Sequence, residues 1–156
     1  MIETTSGGEL VGKIQFRVRY QETDQMGVVY HGNYFAYFEM GRTELLREAT
    51  GFSYRDIEES NVKLVVARAE CSYIKPARYD DLLTLETRLA VLSRASLTHE
   101  YALYRDSELL AKGLTKLVAV DDFGKIVPVP KQIATAVAPD KAKNRGKSES
   151  KEEPKV

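Results

Sequence analysis

The sequence predicts a single α+β domain in which an antiparallel sheet packs against one long helix. One segment near the N-terminus has the period of an amphipathic helix, and strand-like segments precede and follow it. The separators between the later strand-like segments are short, which favours antiparallel neighbours. The chain has 156 residues, of which 43% are hydrophobic, so it has enough apolar side chains for one core.

The first predicted strand covers residues 13–20, where hydrophobic and polar side chains alternate strictly. A period of two is typical of a strand with one buried face. The hydrophobic face consists of Ile14, Phe16, Val18 and Tyr20. Residues 21–33 break this pattern and contain Gly27 and Gly32, which predicts a loop.

Residues 34–49 form the clearest helical segment of the sequence. Hydrophobic residues recur there at spacings of three and four, at Phe35, Phe38, Leu45, Leu46 and Ala49. A helix of this length spans about 24 Å. Asn33 is the expected N-cap, and Gly51 is the expected C-terminal stop. Gly41 is expected to let a neighbouring backbone approach the helix closely.

Four longer strand-like segments follow the helix. They cover residues 62–74, 82–92, 97–104 and 110–120. Residues 126–130 close the domain, and one helical turn is expected over residues 131–136. A sheet covered by helix on one face only leaves its outer face and its edges exposed, so we expect self-association.

The domain is predicted to cover residues 1–138, and residues 139–156 are predicted to form a disordered, charged tail. The tail is rich in Lys, Glu and Ser and nearly lacks hydrophobic residues, so burial cannot offset its ordering entropy. The first ten residues contain no secretory hydrophobic region, and no segment approaches the roughly 18 apolar residues of a membrane span. We therefore expect a cytoplasmic protein without stable membrane insertion.

The charge balance and the cysteine count exclude several classes of function. Lys plus Arg and Asp plus Glu both total 23, so the chain lacks the basic excess that general nucleic acid binding requires. The single cysteine, Cys71, excludes an intrachain disulfide and is expected to pack within a strand. No Cys/His cluster has the spacing of metal ligands, so no metal site is predicted.

The densest group of chemically useful residues is the segment YQETDQMGVVYHGNY at residues 20–34. It contains the carboxylates Glu22 and Asp24, the imidazole of His31 and the free N–H groups of a helix start. Such N–H groups polarise a carbonyl, while a nearby carboxylate attacks an acyl carbon or activates water. The same residues are also compatible with turn formation by Asp24 and with a packing role for His31.

This segment closely resembles the signature of the 4-hydroxybenzoyl-CoA thioesterase-like hotdog family, in particular its bacterial Tol–Pal-associated acyl-CoA thioesterases. The resemblance continues over YFEMGRTE at 37–44, YIKPARYDD at 73–81 and RASL at 94–97. It implies a hotdog fold, in which the antiparallel sheet wraps around one long central helix. It also implies a homodimer or homotetramer whose active sites lie at the interface between two subunits.

The resemblance further implies roles for individual residues. Asp24 matches the catalytic carboxylate, which acts as nucleophile or general base, and a backbone N–H near His31 polarises the thioester carbonyl. The His31 side chain orients the thioester or assists proton transfer, and Tyr30 lines the acyl pocket. The remaining substrate-binding candidates are Gly27, Val29, Tyr34, Glu39, Lys75, Arg78, Arg94 and Ser96. The three cations in this set are candidates for contacts with the coenzyme A phosphates, and Gly27 for close approach of the substrate.

The implied reaction is hydrolysis of a short-chain or aromatic acyl-CoA to the free acid and coenzyme A. Coenzyme A is then part of the substrate, and no separate cofactor is expected. Two alternatives stay open, namely a thioester carried by acyl carrier protein and a catalytically silent acyl-CoA-binding protein. Glu39 is expected to support the site indirectly, Glu22 to brace the loop and His99, which lies in an alternating strand, to be structural.

Overall fold

The computed structural model describes residues 2–4 and 9–137, so the predicted tail at 139–156 lies outside the described residues. The strands are β1 (Ile2–Thr4), β2 (Leu10–Arg17), β3 (Lys63–Tyr73), β4 (Leu82–Leu92), β5 (Ser96–Arg105) and β6 (Glu108–Val120). The helices are α1 (Asn33–Thr50), α2 (Tyr54–Glu59) and α3 (Lys131–Val137), with a short 3-10 turn at Tyr20–Glu22.

All six described strands form one antiparallel sheet in the order β1-β2-β4-β5-β6-β3. The helix α1 packs across one face of it and contacts mainly β2 and β4. In β4 the side chains alternate, so that Leu83, Leu85, Thr87 and Leu89 face α1 and are buried. The predicted α+β class, in which an antiparallel sheet packs against a helix, is therefore confirmed.

The predicted helix is α1, which extends one residue further at each end than the periodicity indicated. Gly51 ends it in the left-handed conformation, with φ of +74°, as expected of a C-terminal glycine. The prediction of Asn33 as N-cap is wrong, because Asn33 is the first helical residue. The N-cap position belongs to Gly32, which has no side chain to bond the free N–H groups.

Glycine allows α1 and the sheet to approach closely at two points. A Cβ on Gly41 would lie 2.3 Å from Oγ1 of Thr87, and a Cβ on Gly113 would lie 2.2 Å from the ring of Phe38. Gly41 therefore lets side chains of β4 approach the helix closely, whereas we expected the close approach of a neighbouring backbone. These contacts set the distance between the N-terminal half of α1 and strands β4 and β6.

Helix α2 was not predicted, because six residues are too few to show a hydrophobic period. It is set by a capping box, in which Asp56 N–H donates to Ser53 Oγ and Ser53 N–H donates to the Asp56 carboxylate. The predicted turn at 131–136 is confirmed as α3. Helix α3 packs its buried Ile133 beneath the C-terminal half of α1, with Leu45, Leu46 and Ile57.

Two polar side chains are buried between α1 and the sheet. His99 of β5 is 5% exposed and Arg42 of α1 is 7% exposed. Burial, and next the charge of Arg42, lowers the pKa of His99 to about 3, so this imidazole is neutral in the folded protein. The structural role expected for His99 agrees with this placement.

Strand β3 lies at one edge of the sheet, and almost all of its side chains are exposed. Val65, Val66 and Tyr73 are each between 43% and 51% exposed, although apolar side chains of this size are normally covered. Within the part of the chain that the structure describes, no helix is both long and apolar enough to cross a membrane.

Candidate active site

The segment between β2 and α1 folds into a compact loop around a tight turn. Thr23 and Val29 pair as an isolated antiparallel bridge, and inside it Asp24 N–H donates to Val28 O at 2.9 Å. Gly27 N–H donates to Asp24 O at 3.0 Å. Gly27 has a φ of +76°, which explains the glycine at this position. The turn presents Asp24 at the surface of the loop.

The carboxylate of Asp24 takes part in this turn with one oxygen. Its Oδ1 accepts a hydrogen bond from the N–H of Met26 at 2.9 Å. Asp24 is partly exposed, and no other hydrogen bond to this carboxylate is found within residues 9–137. The side chain is thus both a turn residue and a carboxylate with one oxygen open to a reactant.

The N-terminus of α1 lies directly after this turn, and its N–H groups are not capped by a side chain. The side-chain amide of Asn33 instead donates to the backbone O of Glu22 at 2.8 Å, which ties the helix to the loop. Asn33 N–H donates to Tyr30 O at 2.9 Å. Between residues 9 and 137, neither the N–H of His31 nor that of Gly32 donates a backbone hydrogen bond.

The imidazole of His31 is exposed and lies between two tyrosine rings. Its centroid is 4.4 Å from that of Tyr30 and 6.4 Å from that of Tyr73. The hydroxyl of Tyr73 donates to the backbone O of His31 at 2.8 Å. Tyr73 was not among the predicted site residues, although it begins one of the segments that carry the family resemblance.

The loop between β3 and β4 holds the segment between β2 and α1 in place through backbone hydrogen bonds. Val29 N–H donates to Ala77 O at 2.8 Å, and Val18 N–H donates to Asp81 O at 3.0 Å. The carboxylate of Asp81 accepts hydrogen bonds from Arg78 N–H and from the Arg105 guanidinium, both at 2.8 Å. Residues 73–81, which carry part of the family resemblance, thus have a structural role, because they hold the segment that contains Asp24.

Four substrate-binding candidates have other roles within the protomer. Val29 and Tyr34 are each 3% exposed and belong to the core, where they pack with Tyr37 and Phe38. Gly27 is needed for its positive φ, since nothing lies within 4 Å of a Cβ placed there. Val29 and Tyr34 are thus core side chains of the protomer, whereas Gly27 is exposed and its contact with substrate stays a prediction.

The fourth candidate is Glu39, whose side chain is 68% exposed. It lies beside the groove between α1 and β2, with Ile14, Phe16 and Met40, and its carboxylate is 3.9 Å from the guanidinium of Arg42. Neither Asp24 nor His31 is among the residues that line this groove, so the supporting role of Glu39 stays a prediction.

The three predicted cations lie in two different places. Lys75 is paired with Glu108 at 2.8 Å, and the Arg78 guanidinium approaches Gly27 O at 3.5 Å, beside the Asp24 turn. Arg94 and Ser96 lie at the turn between β4 and β5, at the opposite end of β4 from Arg78. At about 3.3 Å per residue, the length of β4 separates them from Arg78 by about 30 Å. The protomer does not bring these two residues to Asp24.

Burial sets the protonation of the phenols and the thiol around the site. Burial, and next the charge of Glu22, raises the pKa of Tyr37, and burial raises the pKa of Tyr34. Burial also raises the pKa of the Cys71 thiol, in agreement with a packing role. Over the described ranges 2–4 and 9–137, no group of His, Cys, Asp and Glu side chains has the arrangement of a metal site.

Comparisons with known proteins identify the family. The model of the thioesterase-like superfamily matches residues 18–137. The acyl-CoA thioesterase YbgC of Haemophilus influenzae is 38% identical over 122 residues, which cover 77% of this chain and 89% of that protein. The crystal structure of DHNA-CoA thioesterase from Staphylococcus aureus matches with a TM-score of 0.79 and 29% identity, covering 88% of this chain and 95% of that one.

A structure of a 4-hydroxybenzoyl CoA thioesterase variant, complexed with 4-hydroxybenzoyl CoA, shares the fold. Its TM-score is 0.75 at 18% identity, and the match covers 82% of this chain and 99% of that chain. The predicted resemblance, the hotdog class and the expectation of a thioesterase are confirmed. This chain belongs to the thioesterase-like hotdog superfamily.

Proposed function

We propose that this protein hydrolyses the thioester of a short-chain or aromatic acyl-CoA to the free acid and coenzyme A. The observation that carries the proposal is the position of Asp24, whose carboxylate lies in the same loop as the uncapped N-terminus of α1. A nucleophile or base beside preorganised N–H donors is what acyl transfer requires. The relatives named acyl-CoA thioesterase and acyl-CoA thioester hydrolase support an acyl-CoA as the substrate.

In the proposed reaction, the thioester carbonyl oxygen accepts from the N–H of His31 as negative charge develops on it. The Tyr30–His31 peptide is held in place by the bond from Asn33 N–H to Tyr30 O. The open oxygen of Asp24 removes a proton from a water that attacks the carbonyl carbon. Alternatively, it attacks that carbon itself and forms an anhydride, which water then hydrolyses.

Collapse of the tetrahedral intermediate breaks the C–S bond and releases the coenzyme A thiolate, which takes up a proton. The exposed imidazole of His31, at the start of α1, is the group proposed to supply this proton. No separate cofactor enters this scheme. The ring of Tyr30, which is 49% exposed and rests on His31, is proposed to line the acyl pocket with the exposed rings of Phe35 and Tyr73.

The proposed active form is at least a homodimer, joined through the free edge of β3. Two copies of an edge strand related by a two-fold axis pair antiparallel. This pairing reverses the partner sheet, so the partner's β4–β5 turn comes to the same end of the joined sheet as Asp24. Arg94 and Ser96 of the partner subunit then join Arg78 as candidate contacts for the coenzyme A phosphates.

The test is release of free thiol from a panel of acyl-CoAs with short, medium, long and aromatic acyl groups. Turnover of short or aromatic members, with long-chain members slower, supports the proposal. The same acyl groups on acyl carrier protein form the second arm. Faster turnover of that arm would assign the carrier-bound thioester instead. Binding of acyl-CoA by calorimetry without any thiol release would identify a catalytically silent binding protein.

A further inference from the structure

Tyr73 connects the edge strand β3 to the N-terminus of α1. It is the last residue of β3, and its hydroxyl donates to the backbone O of His31 at 2.8 Å, across 42 positions of sequence. Its ring packs edge-on against Tyr34, with centroids 4.9 Å apart. Tyr34 belongs to the core, so the ring of Tyr73 rests against a buried side chain.

The carbonyl that Tyr73 holds belongs to the same peptide unit as the N–H of Gly32. A trans peptide is planar, so its C=O and its N–H point in opposite directions and turn together. Within residues 9–137, the second hydrogen bond to His31 O comes from Tyr34 N–H at 3.4 Å, which is long for an N–H···O bond. The direction of the Gly32 N–H therefore depends mainly on the Tyr73 hydroxyl.

We propose that Tyr73 is a positioning residue that directs the N–H of Gly32 into the oxyanion site as a second donor beside that of His31. This inference rests on the proposed thioester hydrolysis. Both N–H groups make no backbone hydrogen bond within residues 9–137, and consecutive N–H groups at a helix start converge on a single anion. The two donors are held by different bonds, since Asn33 N–H fixes the Tyr30–His31 peptide and Tyr73 fixes the next one.

The chemistry of Tyr73 suits this role. Partial burial, and next the neighbouring Cys71, raises the pKa of Tyr73 to about 12, so its hydroxyl keeps the proton that it donates throughout the neutral range. Because Tyr73 lies on the strand proposed to join two subunits, displacement of the end of β3 would also release the His31–Gly32 peptide.

The test compares Tyr73→Phe, which removes only the hydroxyl, with Tyr104→Phe, the same change on β5. Tyr73→Phe leaves the Gly32 donor present but loosely directed, so its kcat is expected to fall about tenfold, less than when an oxyanion donor is deleted. Its KM should stay within about twofold, because the donor acts mainly on charge that develops in the transition state. Tyr104→Phe is expected to retain the kcat and KM of the wild type.

A spectroscopic readout follows the peptide itself. The chain contains two histidines, and only His31 precedes a glycine, so labelling with carbonyl-13C histidine and 15N glycine selects the His31–Gly32 peptide alone. Tyr73→Phe should move this single cross peak, with the carbonyl shifted upfield because it loses a hydrogen bond. Tyr104→Phe should leave the cross peak in place.

An unmoved cross peak in Tyr73→Phe would overturn the inference, and so would a moved cross peak with an unchanged kcat. Equal losses of kcat in both variants would overturn it as well, because the effect would then not be local. If the wild type cleaves no thioester, the proposed function fails, and the cross peak alone decides whether Tyr73 directs the Gly32 N–H.

Discussion

Oδ1 of Asp24 accepts a hydrogen bond from the N–H of Met26 at 2.9 Å, so the proposed catalytic carboxylate is oriented by its own turn. An aspartate that forms a turn in this way needs no catalytic role. Here the turn and the proposed chemistry are compatible, because the bond to Met26 leaves the second oxygen open. The position of the Asp24 carboxylate therefore depends on the conformation of the turn.

Gly27→Ala is expected to disturb both stability and catalysis. Its φ of +76° strains any side chain, so alanine should lower the free energy of unfolding by about 1 kcal/mol. The altered turn should also misplace the Asp24 carboxylate and lower kcat by about tenfold. Urea unfolding and thiol release measure the two effects.

Gly124→Ala is the matched control. Gly124 has a φ of +77° and also has nothing within 4 Å of a Cβ, but it lies in the turn after β6. The two variants should lose similar stability, and only Gly27→Ala should lose activity. Equal kcat values in the two variants would show that the Asp24 turn does not set the reaction geometry.

Val66→Lys is expected to separate the subunits. Val66 is 51% exposed on the edge strand β3, and a lysine there is a device by which natural edge strands avoid pairing. Sedimentation should show a dimer or larger assembly for the wild type and a monomer for Val66→Lys, with thiol release lost.

The control for Val66→Lys is Val91→Lys, which makes the same change at a 55% exposed position of β4. It should keep both the assembly and the activity of the wild type. An active Val66→Lys monomer would contradict the proposal that the site needs residues from two subunits.

Acid sensitivity is expected from the buried His99. Its folded pKa of about 3 lies below the unfolded value of about 6.5, so below pH 6.5 the unfolded chain binds a proton that the folded chain excludes. Stability is therefore lost as pH falls from about 6.5 towards 3, at up to about 1.4 kcal/mol per pH unit from this group.

Urea unfolding at pH 7.5 and pH 5.0 checks this expectation. His99→Gln should lose less stability over that interval than the wild type, by about 2 kcal/mol. His31→Gln replaces the exposed histidine and should keep the pH dependence of the wild type. Equal losses of stability in His99→Gln and the wild type would show that the buried imidazole does not cause the acid sensitivity.

Helix α1 and strand β4 were predicted to within one residue at each end, whereas strand β2, predicted at 13–20, covers Leu10–Arg17. The helix α1 and strand β4 follow from their apolar spacing, whereas α2 depends on one capping box and shows no such period. Periodicity also cannot tell which side of an irregular loop faces the core. The family resemblance alone placed Val29 among the substrate-binding candidates, although its side chain is buried.

The rest of the candidate site depends on contacts between distant parts of the chain. The hydrogen bond from Tyr73 to His31 joins residues 42 positions apart, and no local pattern indicates it. The proposed contact of Arg94 with the coenzyme A phosphates requires a second copy of the chain, because within one protomer Arg94 lies at the far end of the sheet. A sequence motif identifies candidate site residues such as Tyr73 and Arg94, but it does not show which subunit supplies each of them.

The most direct test of the account is the kcat of Asp24→Asn for thiol release, with Asp122→Asn as the control. The amide keeps the size of the side chain and removes the charge that makes it a base or a nucleophile. Asp122 is an exposed aspartate paired with Lys63 at the surface, so its variant should match the wild type. We expect Asp24→Asn to lose at least about a hundredfold in kcat, which corresponds to about 2.7 kcal/mol of barrier. Equal turnover by Asp24→Asn and the wild type would show that Asp24 serves the turn alone.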